Sequence, residues 1–169
     1  MRQQARLGMA LFLLSEAVFF FMLIAAFVYF RGESLPVAAA NLKLGTTAAY
    51  TAALLASSFT MWRAASGGAS RGWLAATIVL GAVFLFGQTS EYLRLFRQNI
   101  TISQNLFGTT FFTLTGFHGL HVLVGIVLLA ALAALRGHHM ALETVSLYWY
   151  FVDAVWIAIF AVVYLWSLL

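Results

Sequence analysis

Apolar residues run along the chain in five long stretches that are separated by short polar segments. The stretches cover Leu7–Phe30, Leu42–Trp62, Gly72–Tyr92, Phe107–Leu135 and Thr144–Leu168. Each can cross a bilayer, since about 20 apolar residues in an α-helix span the ~30 Å hydrocarbon core. Helices are the expected form because they satisfy backbone hydrogen bonds internally. The pattern predicts an all-α membrane protein, a bundle of five transmembrane helices that forms a single domain over residues 1–169.

The composition agrees with a membrane protein and excludes sites that depend on cysteine. Apolar residues make up 63% of the chain and charged residues 8%, whereas soluble domains have roughly 45–50% and 25%. The absence of Cys excludes disulfides, thiolate metal sites and haem attachment through Cys. The net charge of +4 is spread over loops and helix ends, so nothing indicates nucleic-acid binding.

The basic residues favour one orientation by a small margin. Five lie at the N-terminus and in the second and fourth loops: Arg2, Arg6, Arg63, Arg71 and Arg136. Four lie in the first and third loops: Arg31, Lys43, Arg94 and Arg97. By the positive-inside rule the N-terminus is expected in the cytoplasm and the C-terminus outside. The first stretch is too long for a signal peptide and carries a Glu, which favours a mature helix.

Three polar positions inside the first and fourth stretches are candidate functional residues. Glu16 lies nine residues after Leu7, and we expect an interior carboxyl group rather than an interfacial one. His118 lies 11 residues after Phe107, which is ~16 Å at 1.5 Å per residue and close to the membrane midplane. His121 is three residues further and faces the same side. Ionisable groups at such depth are costly unless they have partners, so we predict a hydrogen bond between Glu16 and an imidazole of the fourth helix.

The two histidines admit two interpretations. One is a metal or haem site, and the other is a pair of hydrogen-bonded imidazoles that join helices or contact lipid head groups. No other apolar stretch contains a His, which removes both a haem held from facing helices and a three-His metal site. The second interpretation is therefore favoured. Gly116, Gly119 and Gly125 on the same helix would allow close helix approach.

Polar residues also occur in the third and fifth stretches. Gln88 and Glu91 lie at the predicted end of the third helix, where Glu91 is either an intramembrane group or an interfacial residue paired with Arg94. Asp153 lies nine residues after Thr144, and a hydrogen-bond donor on another helix is expected beside it. The aromatic run 148–150 is interpreted as an interfacial belt.

Four segments of the chain, in this order and spacing, resemble subunit III of the haem-copper terminal oxidases. They are Leu14-Ser15-Glu16 with Val18-Phe19-Phe20-Phe21, Gln88-x-x-Glu91-Tyr92, Gly108 to Val122, and His138-His139 with Glu143 and Tyr148-Trp149-x-Phe151-Val152-Asp153. Two departures stand out. The longer members have seven helices, so the resemblance is to the short, five-helix bacterial form. Tyr150 replaces the usual His of the last segment, which puts any role of that position in doubt.

The resemblance implies an accessory subunit that carries no haem or copper of its own. Such a subunit packs against subunit I in a complex that also contains subunit II, and those partners hold the haem and copper. It is expected in the bacterial cytoplasmic membrane, with phospholipids bound in a V-shaped cleft, and to support proton uptake and the stability of the catalytic subunit. Oxygen access has also been proposed through that cleft.

The resemblance also implies roles for individual residues. Glu16 is the expected buried carboxyl group beside the lipid cleft. Polar contacts to lipid head groups or between helices are expected from His118, His121, Glu91, His138, His139, Glu143, Asp153 and Gln88. No catalytic residue and no metal ligand is assigned. The sequence Thr115-Gly116-Phe117-His118 favours a cytochrome c oxidase over a quinol oxidase.

Two functions from other classes compete with this one. A small proton-coupled transporter or proton channel could use Glu, His and Asp as an intramembrane relay, although no internal repeat is visible. A membrane serine protease is disfavoured, because Ser15 and Ser90 each neighbour a Glu but neither lies in a Gly-x-Ser-x-Gly setting.

Overall fold

The computed structural model describes residues 2–30, 42–66, 71–102, 106–134 and 139–166. These ranges contain five α-helices and no β-strand: α1 (Arg2–Tyr29), α2 (Leu44–Ser66), α3 (Arg71–Arg97), α4 (Leu106–Ala134) and α5 (His139–Phe160). A π-helical turn, Ala161–Leu165, continues α5. The predicted all-α bundle of five helices is confirmed.

Four of the helices are long and apolar enough to cross a membrane. These segments are Leu7–Tyr29, Arg71–Arg97, Leu106–Ala134 and Ala141–Leu165. The helix α2 has 23 residues, which is a sufficient length, but it carries many hydroxyl side chains. Four of these turn into the bundle and are buried: Thr47, Thr51, Ser57 and Thr60. The chain is therefore a multi-pass membrane protein, and α2 is the one long helix of the described residues without a stretch as apolar as those four.

Three helices extend five residues beyond a predicted bound. The helix α1 begins at Arg2 and α5 at His139, each five residues early, and α3, which we expected to end at Tyr92, continues to Arg97. Apolar patterning marks the hydrocarbon region, whereas the backbone continues as a helix into the interface, where charged side chains reach water. The α3 end has a physical cause in Asn99, whose φ of 59° gives the left-handed residue of a Schellman cap. Ile100 N–H then donates to Leu95 O at 3.0 Å.

The helix α5 lies at the centre of the packing. It contacts α1, α2 and α4, while α2 packs most extensively on α3. The helix α1 lies at the edge against α4 and α5. Half of its large apolar side chains are exposed, and the others are partly buried except for Phe20 and Phe27, which are buried. A bundle of this kind presents α1 to lipid and encloses α5.

Trp149 on α5 fills a slot between two glycines on neighbouring helices. Its side chain is fully buried, and Cβ atoms added to Gly81 of α3 and Gly125 of α4 would lie 2.8 and 2.9 Å from its ring. Tyr148 is also buried, at 3% exposure. The prediction of an interfacial belt is wrong for these two residues, because the glycines open space for aromatic rings inside the bundle.

We expect Gly125→Ala to destabilise the bundle, because its methyl group would overlap the immobile Trp149 ring. Overpacking costs about 1–3 kcal/mol, and the higher helix propensity of Ala returns up to ~1 kcal/mol. The control is Gly8→Ala, since a Cβ at Gly8 meets nothing within 4 Å. Detergent titration monitored by circular dichroism gives the free energies of unfolding. Equal stability of the two variants would contradict the tight packing of the Trp149 ring against Gly125.

Candidate functional site

Glu16 of α1 and His121 of α4 form a hydrogen-bonded pair between the two helices. Glu16 Oε2 lies 3.1 Å from His121 Nε2, and His121 Nδ1 lies 2.7 Å from the Phe117 carbonyl oxygen. A carbonyl oxygen can only accept, so Nδ1 carries a hydrogen. The predicted hydrogen bond from Glu16 to an imidazole of the fourth helix is present in the structure, and the imidazole is that of His121.

The proton count of this pair follows from its geometry. With Nδ1–H directed at Phe117, His121 Nε2 either accepts from a neutral Glu16 carboxyl group or donates to its carboxylate as imidazolium. Both arrangements contain one shared proton and no net charge. An uncharged pair is the form that a low-dielectric environment tolerates. The side chains of His121 and Glu16 remain 15% and 22% exposed, so the pair lies at the surface of the bundle.

An apolar groove of about 270 Å³ opens beside this pair, between α1 and the helices α4 and α5. We call it the α1/α4 groove. It is lined by Met9, Phe12, Leu120, His121, Val124, Leu128 and Tyr148. Tyr148 closes one wall, because its hydroxyl donates to the His121 carbonyl oxygen at 2.9 Å. His121 supplies the ionisable group in a surface that is otherwise almost entirely hydrocarbon.

His118 lies one turn from His121 but in a different environment. It is fully buried and stacks on Trp156, with ring centroids 4.8 Å apart and planes at 27°. Phe84 contacts its edge at 5.7 Å. Neither ring nitrogen has a hydrogen-bond partner within the described part of the chain. The two histidines therefore do not act as one site: His121 faces α1 and the groove, while His118 is a core residue.

A row of hydrogen bonds joins α2 to α5, and we call it the α2/α5 seam. Ser58 Oγ donates to the Asp153 carboxylate, Trp149 Nε1 donates to Ser57 Oγ at 3.0 Å, and Trp156 Nε1 donates to Thr51 Oγ1 at 2.9 Å. The donor predicted beside Asp153 is therefore present on another helix. The α2 partners were missed, although Thr51 and Ser58 lie seven residues, or two helix turns, apart and so share one helix face.

Glu91 and Gln88 lie inside α3 rather than at its end. Their exposures are 6% and 5%, and Arg94 forms an ion pair with Glu91. Both earlier interpretations of Glu91 hold in part, since it is buried and it is paired with Arg94. Tyr92 links α3 to α4 through a 2.7 Å hydrogen bond between its hydroxyl and Thr115 Oγ1.

The remaining candidates do not converge on a single site. Glu143 is an exposed residue of α5, and its carbonyl oxygen accepts from Ser146 Oγ at 2.8 Å. His138 and the side chain of His139 lie outside the described residues. Among the residues that are described, no three His, Cys, Asp or Glu side chains form a group that could hold a metal ion.

The Ser57–Trp149 bond gives a quantitative test of the α2/α5 seam. We expect Ser57→Ala to destabilise the bundle because it leaves a buried indole N–H unpaired, and a double-mutant cycle with Trp149→Phe should give a coupling of about 0.6–1.7 kcal/mol. Unfolding free energies in detergent supply the four values. The control is Ser15→Ala, whose exposed hydroxyl bonds only its own helix at Phe12 O. A coupling near zero would show that the bond does not hold α2 to α5.

Comparison with known proteins identifies the family. The sequence model described as cytochrome c oxidase subunit III matches residues 47–168. Cytochrome c oxidase subunit 3 of Synechocystis sp. is 34% identical over 94% of this chain and 74% of its own length. The corresponding protein of Thermostichus vulcanus is 34% identical over 94% and 86%. A probable cytochrome c oxidase subunit 3 of Nocardia farcinica is 35% identical over 93% and 85%. This chain therefore belongs to the cytochrome c oxidase subunit III family and is an accessory component of a respiratory oxidase complex.

Proposed function

We propose that this chain is subunit III of a bacterial haem-copper oxidase that accepts electrons from cytochrome c. It packs directly on subunit I, in a complex with subunit II, and those subunits carry the haem, the copper and the catalysis. The complex lies in the cytoplasmic membrane, with the N-terminus of this chain in the cytoplasm. Family membership supports this proposal.

The α1/α4 groove binds a phospholipid acyl chain in this proposal. Its lining is apolar and comes from α1, α4 and α5, and it opens sideways, which gives a hydrocarbon chain access from the membrane. Phe12 and Tyr148 stack at 6.4 Å across it. A lipid in the groove would cover the His121 side of the Glu16–His121 pair and exclude water from it.

The Glu16–His121 pair is the observation that carries the proposed role in proton uptake. It holds one proton that can sit on either partner without a change in net charge. To relay a proton beside the catalytic subunit, the pair binds one proton and gives up another, and it returns to the same uncharged state after each relay, whereas a lone carboxyl group in hydrocarbon has no partner to share its charge. The remaining candidates, His118, Gln88, Glu91, Glu143, His138, His139 and Asp153, are proposed as packing or head-group contacts.

A self-contained proton channel is not favoured. The Glu16–His121 pair and the α2/α5 seam are separated by the aromatic rings around His118, with Phe20, Phe84 and Trp156 in contact with that imidazole. A relay needs hydrogen-bonding groups in succession, but neither ring nitrogen of His118 has a partner within the described part of the chain, and Trp156 Nε1 donates to Thr51 in the seam instead.

Affinity purification of the tagged chain in mild detergent tests the partnership. We expect a larger multi-helix subunit to co-purify, together with haem absorption in the reduced-minus-oxidised spectrum, because this chain has no redox centre of its own in our proposal. A colourless preparation that contains this chain alone would contradict the proposed complex, and proton-flux assays in liposomes would then test the channel.

Substitutions of Glu16 in the assembled oxidase test the proton role. Glu16→Gln can keep the bond by donating its amide N–H to His121 Nε2 but cannot release a proton. It should leave assembly intact while slowing proton uptake and shortening the functional lifetime during turnover. Glu16→Leu should in addition weaken the α1–α4 contact by about 0.6–1.7 kcal/mol.

The neighbouring Ser15→Ala serves as the control, since Ser15 is exposed and bonds only within α1. Proton uptake is followed by a pH indicator, and lifetime by the number of turnovers before inactivation. A Glu16→Gln oxidase with unchanged stability and unchanged lifetime would count against the proposed role.

A further inference from the structure

A second pocket lies where α2 begins and α3 approaches its end. It measures about 130 Å³, and we call it the Lys43/Arg94 pocket. It is lined by Lys43, Thr46, Gly87, Ser90, Glu91 and Arg94. It shares no lining residue with the α1/α4 groove, so its occupant would be a separate one.

The charges in this pocket favour an anion. Two cations and one carboxylate line it, which leaves one net positive charge. Glu91 is buried at 6% exposure and holds Arg94 in place by their ion pair, so the guanidinium is fixed before any ligand binds. Lys43 is exposed, and its ammonium group has no partner in the ranges that the structure describes. An anion bound here would contact Lys43 without displacing an existing ion pair.

The floor of the pocket depends on a glycine. A Cβ atom at Gly87 would overlap the ring of Tyr50 on α2, so this ring packs directly on the α3 backbone at this level. Of the two cations that line the pocket, Lys43 is exposed and the Arg94 side chain is 23% exposed. A ligand can therefore reach both.

An apolar stripe on α3 leads away from the pocket into the membrane. Val79, Val83 and Phe86 are 59%, 41% and 70% exposed, and with Ser90 they recur every three or four residues on one helix face. From Val79 to Ser90 the helix rises ~16 Å at 1.5 Å per residue, which matches the hydrocarbon depth of one leaflet, half of ~30 Å. Beyond Arg94, the exposed Arg97 continues towards water.

We propose that the Lys43/Arg94 pocket binds the phosphodiester head group of an anionic phospholipid, with one acyl chain along the Val79–Phe86 stripe. The cations lie at the end of α3, and the apolar stripe runs from them into the membrane, as an acyl chain runs from a lipid head group. A zwitterionic lipid is disfavoured because its own ammonium group would meet two cations. The site differs from the α1/α4 groove in its helices and in its charge.

Native mass spectrometry of the full chain, released from nanodiscs that contain phosphatidylglycerol or phosphatidylcholine, tests the site. We expect one phosphatidylglycerol to bind in preference to phosphatidylcholine. Lys43→Gln should weaken that binding about fivefold, the effect of one basic residue at a membrane surface, and Lys43→Arg should retain it. Arg97→Gln is the matched control, an exposed cation at the same helix end that does not line the pocket. Equal losses in Lys43→Gln and Arg97→Gln, or no head-group preference, would overturn the proposal.

The position of the bound lipid is read from a photoreactive phosphatidylglycerol whose reactive group lies in the upper acyl chain. Crosslinks should fall in residues 79–90 of α3, and they should decrease in Lys43→Gln. Crosslinks confined to the α1/α4 groove would assign the lipid to that groove instead and overturn the second site. Displacement of the lipid by soluble glycerol phosphate would assign the pocket to free phosphate esters, which would equally exclude the lipid.

Discussion

The bundle depends on hydrogen bonds that α2 and α5 make with each other inside the membrane. The helix α2 carries buried hydroxyl groups, and α5 carries two indole N–H groups and the carboxylate of Asp153. Each of these would be costly alone in hydrocarbon. Their pairing across the α2/α5 seam gives a partner to both indole N–H groups and to one oxygen of Asp153, and it fixes the register between the two helices. The polar face of α2 is therefore the reason that a helix of moderate hydropathy belongs inside the bundle.

The cost of an unpaired polar group in hydrocarbon also bears on His118 and His121, which lie three residues apart but have different surroundings. His121 meets a carboxyl group and a backbone carbonyl, so its polarity is used at the surface of the bundle. His118 meets aromatic rings, and stacking on Trp156 takes the place of hydrogen bonds among the described residues. A helix turn of three residues brings side chains near each other on one face, but the neighbouring helices decide what each of them touches.

Much of the architecture could be predicted from the pattern of apolar residues. The five helices, the bond of Glu16 to an imidazole and a donor for Asp153 all follow from the cost of polar groups in hydrocarbon. The ends of the helices and the position of Trp149 could not be predicted in this way. The end of α3 depends on the local backbone conformation of Asn99, and the burial of Trp149 depends on glycines that are distant in sequence. The first is a local effect and the second a tertiary one, and the period of hydrophobicity predicts neither.

The slot that receives Trp149 also constrains the order in which the bundle assembles. Its walls are Gly81 on α3 and Gly125 on α4, and both precede α5 along the chain. Both walls are therefore synthesised before the Trp149 ring that fills the slot, and the seam to α2 can form only once α5 has been synthesised. The helix α5 therefore completes the bundle, and α1 packs on the outside of the bundle, where Glu16 bonds His121 of α4.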